Sequence, residues 1–330
     1  MAKDASFHFG PSGNTSEPVE FTFEYYLDHR ARIDAESIFA YHEEYGRTYH
    51  AYRSGSYHIP NDQNEVERLD AQYEITKIFL DDRLYLSPLS EPRKIIDIAT
   101  GTGRWAMEMA DKFPHAQVIG TDLSPIQPVL VPPNLQFEID DGNDEWQQGD
   151  DWYDVDYIHF LSTVAAWSDW QRIIRTAFTR LRPGGWLEMQ EPECDIASDD
   201  APIPSDNAFR QWFFDLTEAS ARAHRPIDVI PHLKQMFIDA GFVDVHEKVL
   251  KIPINGWPRG RRLKKIGKMW QQCLLDGLPG FSYALFNRWL GVSTDQIEIS
   301  LVHVRKAMAD KRTRAYQRFY VVYGRKPERV

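Results

Sequence analysis

The 330-residue chain has only two cysteines, Cys194 and Cys273. That is too few for a disulfide framework and suits a reducing compartment. It also lacks an excess of basic charge. Thirty-eight Lys and Arg stand against 49 Asp and Glu, a net charge of −11. A general nucleic-acid or anionic-membrane surface would need clustered cations instead. No apolar run approaches the ~18 residues of a membrane span. The opening residues, MAKDASFHFGPSGNTSEP, hold no apolar stretch of the secretory type. These absences predict an intracellular protein, cytoplasmic or nuclear and not secreted, without a direct nucleic-acid or membrane partner. No H-x-x-x-H or C-x-x-C spacing is present, so no metal is expected. Nor is there a G-x-S-x-G nucleophile elbow, an internal repeat or a low-complexity tract.

Aromatic residues, in contrast, are plentiful: ten Trp, fifteen Tyr and eighteen Phe. They predict a sizeable core or an aromatic-lined cavity. Residues 1–20 are polar and read as a disordered leader. From about Tyr25 to Leu86 the pattern reads as two or three helices, interrupted by the aromatic stretch Gly46–Arg53. From Arg93 the period changes. Short apolar runs at Lys94–Ala99, Gln117–Thr121, Leu135–Ile139, Tyr153–Phe160 and Gly185–Gln190 read as strands, with helices between several of them. This alternation implies βαβ units and a parallel sheet. Helices over Phe209–Ala223 and His232–Ala240 precede a sixth strand at Val243–Ile254. More helix, Leu263 to about Lys311, leads to a last strand at Arg318–Tyr323.

The turn Asp97-Ile98-Ala99-Thr100-Gly101-Thr102-Gly103 carries the most chemistry. Its glycines allow close backbone approach to a ligand, and the following helix offers unpaired N–H groups. Alone it also fits a dinucleotide fingerprint, with Asp122 about 20 residues on, where a ribose-binding acid belongs. Asp97 at the end of the first strand would repel a pyrophosphate but hold an ammonium group. Asp140-Asp141 follows the third strand, where an acid can accept from an adenine amino group. Three acidic positions at successive strand ends suit a cationic nucleoside, S-adenosylmethionine. Each acid taken singly would pass as a solvated turn residue.

Here a resemblance becomes specific. Ile95–Gly103 resembles the first motif of class I S-adenosylmethionine-dependent methyltransferases. Val118–Pro128, Val131–Asn134, Phe137–Asp141 and Leu181–Trp186 resemble the fungal LaeA-like methyltransferase family. So do Gly46–Arg53 and Tyr320–Pro327. The resemblance runs from about Tyr41 to Pro327. It implies a Rossmann-like α/β sheet of seven strands with the last antiparallel, N-terminal helices at 21–90, and a helical substrate cap at 256–311. The cofactor-binding domain would comprise 91–255 and 312–330. S-adenosylmethionine would then lie on Asp97, Ala99, Gly101 and Gly103 (methionine part), Asp122 (ribose) and Asp140-Asp141 (adenine), with Thr100 and Leu123 also in the cofactor site. Tyr49 and Tyr57 close over the cofactor or belong to ordinary aromatic core. The family usually has Gly where this chain has Ala99. It also tends to a His-Ser-Arg type sequence where this chain has His159-Phe160-Leu161-Ser162.

His159 and Glu191, at the ends of the fourth and fifth strands, are the candidate catalytic groups. For each, a structural role is the competing reading. The cap is rich in Met, Trp and Phe (Met269, Trp270, Phe281, Phe286, Trp289), which suits a pocket for a hydrophobic molecule, or burial against the N-terminal helices or a partner subunit. The expected activity is methylation of a small hydrophobic secondary metabolite. A partner-binding regulator of secondary metabolism and a cofactor-retaining cyclase remain as alternatives. A homodimer or a protein partner is left open.

Overall fold

A computed structural model describes residues 39–146, 154–163 and 165–328. The polar leader at 1–20, and the start of the segment read as helical, lie outside the described residues. Two short strands come first, β1 (His42–Glu44) and β2 (Arg47–Tyr49), paired antiparallel. Tyr45 and Gly46 join them, both at positive φ (55° and 69°), the backbone that a type I′ hairpin turn requires. This corrects the helical reading of the segment. Of its described residues, the first long helix is α1 (Gln63–Phe79), begun where the Asp62 carboxylate accepts from the Glu65 N–H at 3.1 Å.

The central sheet contains β3 (Lys94–Ile98), β4 (Gln117–Asp122), β5 (Leu135–Ile139), β6 (Val155–Leu161), β7 (Leu181–Pro192), β8 (Val243–Pro253) and β9 (Tyr316–Arg325). Their order is β5-β4-β3-β6-β7-β9-β8, parallel except for β9, which runs antiparallel to both neighbours. The expected seven strands with an antiparallel last one are therefore present. β3 and β6 are almost continuously buried, as central parallel strands covered on both faces must be. The chain steps outward from β3 through β4 to β5, then returns to β6 on the other side. This reversal opens a crevice beyond the carboxyl ends of β3 and β6.

Helices α2 (Arg104–Lys112), α3 (Trp170–Arg180) and α5 (Leu233–Ala240) cover the sheet. A second apolar core joins α1, α4 (Ala208–Arg222), α6 (Arg261–Leu290) and α7 (Thr294–Ala309) to β8 and β9. α6 passes close to the N-terminal segment at Gly277 and Gly280. A Cβ on Gly277 would sit 2.3 Å from the Phe281 ring of α6 itself and 2.9 Å from the Arg68 Cδ of α1, so both side chains would have to shift. Among the described residues no helix is long and apolar enough to cross a membrane.

Candidate functional site

The site begins with strand ends. In β3, Asp97 is in register with His159 of β6. Beyond β3 the chain turns through Ala99 (φ 57°), Gly101 (60°) and Gly103 (78°), three left-handed residues within five positions. Gly103 tolerates no side chain, because a Cβ would run into the Phe137 ring. Ala99 adopts the left-handed backbone with its methyl group in place. A non-glycine residue there carries strain of about 1 kcal/mol, the kind stored at functional turns.

The carboxylates build the turn as well as line it. Asp122 Oδ2 accepts from Gly101 N–H at 2.9 Å, and Oδ1 from Ser124 N–H at 3.0 Å. Desolvation raises the Asp122 carboxyl to about 6, against the opposing pull of those N–H groups. Asp97 Oδ2 accepts from Thr100 Oγ1 at 2.5 Å. Thr102 donates to Asp70 of α1 at 2.7 Å, and Gln127 donates to the Gly101 carbonyl at 2.7 Å. Asp141 Oδ1 accepts from both the backbone and side-chain nitrogens of Asn143.

A cavity of about 1130 Å³, open solvent at its mouth included, runs along these groups. It gathers Tyr57, Asp97, Ala99, Thr100, Gly101, Asp122, Leu123, Asp140 and Asp141 at one place. Among the described residues five carboxylates border it, of which Glu65 is already paired with Arg68 at 2.7 Å, which leaves Asp97, Asp122, Asp140 and Asp141. Among the described residues its bordering cation is Arg104, which pairs with Glu74 at 2.6 Å. The cleft is thus built for a cationic ligand.

Four candidates lie outside it. Tyr49 is buried in β2, with the Arg288 guanidinium 5.9 Å from its ring centroid. Gly103 shapes the turn from behind. His159 is fully buried, stacked 3.7 Å from Trp105 with the rings nearly parallel, and its Nδ1 bonds Asp97 Oδ1 at 2.8 Å. The carboxylate accepts, so Nδ1 carries the proton. Glu191 is fully buried too, within β7. Its Oε1 accepts from Thr163 N–H at 3.0 Å and Thr163 O–H at 2.5 Å, and Thr163 Oγ1 accepts from Trp167 at 2.8 Å. Neither His159 nor Glu191 reaches the reacting space that the sequence reading gave them. Each holds a residue that does border the cavity.

The sequence reading missed α1 and the β6–α3 loop as walls. Glu65, Leu69, Gln72 and Tyr73 lie on one face of α1, at three- and four-residue spacing, and border the cleft. Their mixed polarity hid this face; only the helical spacing could have shown it. Beyond α1 lies a second, mostly apolar chamber of about 860 Å³ with its mouth included, lined by Trp212, Phe213 and Leu216 of α4 and Trp270, Leu274 and Phe281 of α6. The two cavities share Tyr57, Ile59, Leu69, Gln72 and Ser162.

Comparison with known proteins decides the family. A methyltransferase-domain model matches residues 70–247. Methyltransferase pytC of Aspergillus terreus is 36% identical over 295 residues, covering 89% of this chain and 90% of that one. The chain belongs to the LaeA-like class I methyltransferase family. A secondary metabolism regulator of Cochliobolus heterostrophus is 33% identical, covering 86% of this chain and 94% of its own. A protein-methionine methyltransferase, laeA of Emericella nidulans, is 32% identical, covering 88% and 77%.

Proposed function

We propose that this methyltransferase holds S-adenosylmethionine in the acidic cleft and methylates a small hydrophobic secondary metabolite in the adjoining chamber. The observation carrying this reading is the shared wall between an acidic glycine-turn cleft and an aromatic chamber. The cleft residues suit the cofactor's charge. Asp97 faces the ammonium end, Asp122 keeps lone pairs for ribose hydroxyls beyond those given to Gly101 and Ser124, and Asp140-Asp141 receive the adenine amino group. When bound, S-adenosylmethionine supplies a methyl group on a cationic sulfur, already activated for in-line displacement.

The protein's part is then mainly alignment within about 3–3.5 Å and exclusion of water. Burial keeps the Tyr57 phenol protonated at the junction of the two cavities, where it can donate to an acceptor oxygen. Burial also raises the Glu191 carboxyl to about 8, so near neutral pH it carries a proton and holds Thr163 rather than acting as a base. His159 fixes the orientation of Asp97. Two relatives bear regulator or protein-methyltransferase names, but the concave, aromatic-lined chamber favours a small molecule.

Calorimetric titration tests the reading. The protein is expected to bind S-adenosylmethionine, and Asp122→Ala to weaken it at least about tenfold by leaving ribose hydroxyls unpaired. No heat with the cofactor, or unchanged affinity in the variant, would overturn the cofactor assignment. Mass spectrometry of a product one methyl group heavier supports methylation, whereas an isomer supports the cyclase alternative.

A further inference from the structure

The chamber's wall chemistry restricts what can enter it. Among the described residues that border it, the group charged at neutral pH is Arg68, and that charge is already committed. Arg68 donates to both oxygens of Glu65 at 2.7–3.0 Å and to Gln72 at 2.5 Å, and lies 5.0 Å from the Phe281 ring centroid. His58 is lowered to about 4 by burial and by Arg288, and so is neutral. Burial raises both bordering thiols, Cys194 and Cys273, which therefore stay protonated. The indole N–H groups are used elsewhere: Trp212 donates to Ser282 and Trp270 to Gln317, each at 2.9 Å. An ion entering this space would find no free counter-charge, and burying it unpaired is strongly unfavourable.

Two polar atoms break the pattern, Ser162 Oγ on the wall shared with the cleft and Ser220 Oγ on α4, both buried without a hydrogen-bond partner. Along α4 the buried face runs Phe209, Trp212, Phe213, Leu216 and then Ser220. Ser220 is fully buried, and its hydroxyl has no hydrogen-bond partner. The comparison with Ser282 is direct: that buried serine donates to the Leu278 carbonyl at 2.6 Å and accepts from Trp212. An orphaned buried hydroxyl costs stability that an alanine would not, and Ser220 borders the chamber.

We infer that the chamber takes an uncharged, largely apolar molecule with a hydroxyl or carbonyl oxygen on the part that reaches α4, and that the Ser220 hydroxyl pairs with that oxygen. Ser220 is thereby a specificity-determining residue for the acceptor, which rests on the reading of this chamber as the acceptor site.

The test titrates the full-length protein, with S-adenosylhomocysteine present, against naphthalene, 2-naphthol and 2-naphthoate, read by quenching of tryptophan fluorescence. Ser220→Ala is expected to lower the 2-naphthol-to-naphthalene affinity ratio about fivefold, the worth of one net hydrogen bond. Unchanged naphthalene affinity in the variant reports an intact chamber. 2-Naphthoate is expected at least about tenfold weaker than 2-naphthol. A ratio unaltered by Ser220→Ala, or 2-naphthoate binding as tightly as 2-naphthol, overturns the inference. Separate calorimetry of S-adenosylhomocysteine keeps the two readings apart. Absent cofactor binding with a shifted ratio removes the methyltransferase reading alone, and intact cofactor binding with an unshifted ratio removes this one alone.

Discussion

Asp97 is held from two sides, by Thr100 within its own turn and by His159 across the sheet. His159 itself is fixed by stacking on Trp105, so the orientation of a cleft carboxylate depends on a residue that never touches the cleft. His159→Phe retains an aromatic ring on Trp105 while removing the hydrogen bond. It is expected to weaken S-adenosylmethionine binding about tenfold, the loss of one charge-assisted hydrogen bond, by calorimetry; unchanged affinity would contradict the positioning role. Glu191 gives a pH-dependent prediction. Its carboxyl titrates near 4.5 ordinarily and near 8 in the fold. The folded state therefore keeps a proton that the unfolded chain has lost between those values. That contribution to stability is complete below about 4.5 and declines as pH rises towards 8. Asp122, raised to about 6, adds the same sign over a narrower range. Glu191→Gln cannot titrate. It should gain on the wild type by more than about 1 kcal/mol between pH 5 and pH 8 in urea unfolding; parallel pH profiles would refute the assignment.

At the scale of elements, Asp62 joins the hairpin to the cleft wall. Its carboxylate caps α1 and also pairs with Arg47 of β2. Asn61, next to it, donates its backbone N–H to the Thr48 carbonyl at 2.8 Å and its side-chain amide to Ser124 at 3.3 Å. Asp62→Ala is expected to cost about 1–2 kcal/mol in chemical denaturation through the lost cap and to loosen cofactor binding by freeing the hairpin. A stability change without any change in affinity would separate the hairpin from the site. The parallel strands were legible in sequence because short continuous apolar runs alternating with helical periods have few other uses. The hairpin was not. Gly46–Arg53 stands out only as an aromatic break between helices, and the residues before it, where β1 lies, read as helix. The roles of His159 and Glu191 were hidden for another reason: strand-end position names the element that carries a side chain, not whether that side chain faces the crevice. Nor could spacing alone show that α1 forms one wall shared by two cavities.

For the whole molecule, the net charge of −11 is spent unevenly. Part of it lines one cleft with carboxylates, whereas among the described residues the neighbouring chamber is bordered by one cation, Arg68, paired with Glu65. The aromatic load divides likewise. Trp105 and Trp167 border the cleft, and Trp212, Trp270 and Phe281 enclose the chamber. On the proposed function, charge and aromaticity separate the place for a cationic cofactor from the place for a neutral acceptor, with α1 and Tyr57 between them. A crystal structure with S-adenosylhomocysteine is the sharpest test of this division. Density is expected along the carboxyl ends of β3, β4 and β5, with the adenine at Asp141, the ribose at Asp122, the amino acid end at Asp97 and the sulfur facing Tyr57. Cofactor density in the aromatic chamber, or away from Asp122 altogether, would contradict it.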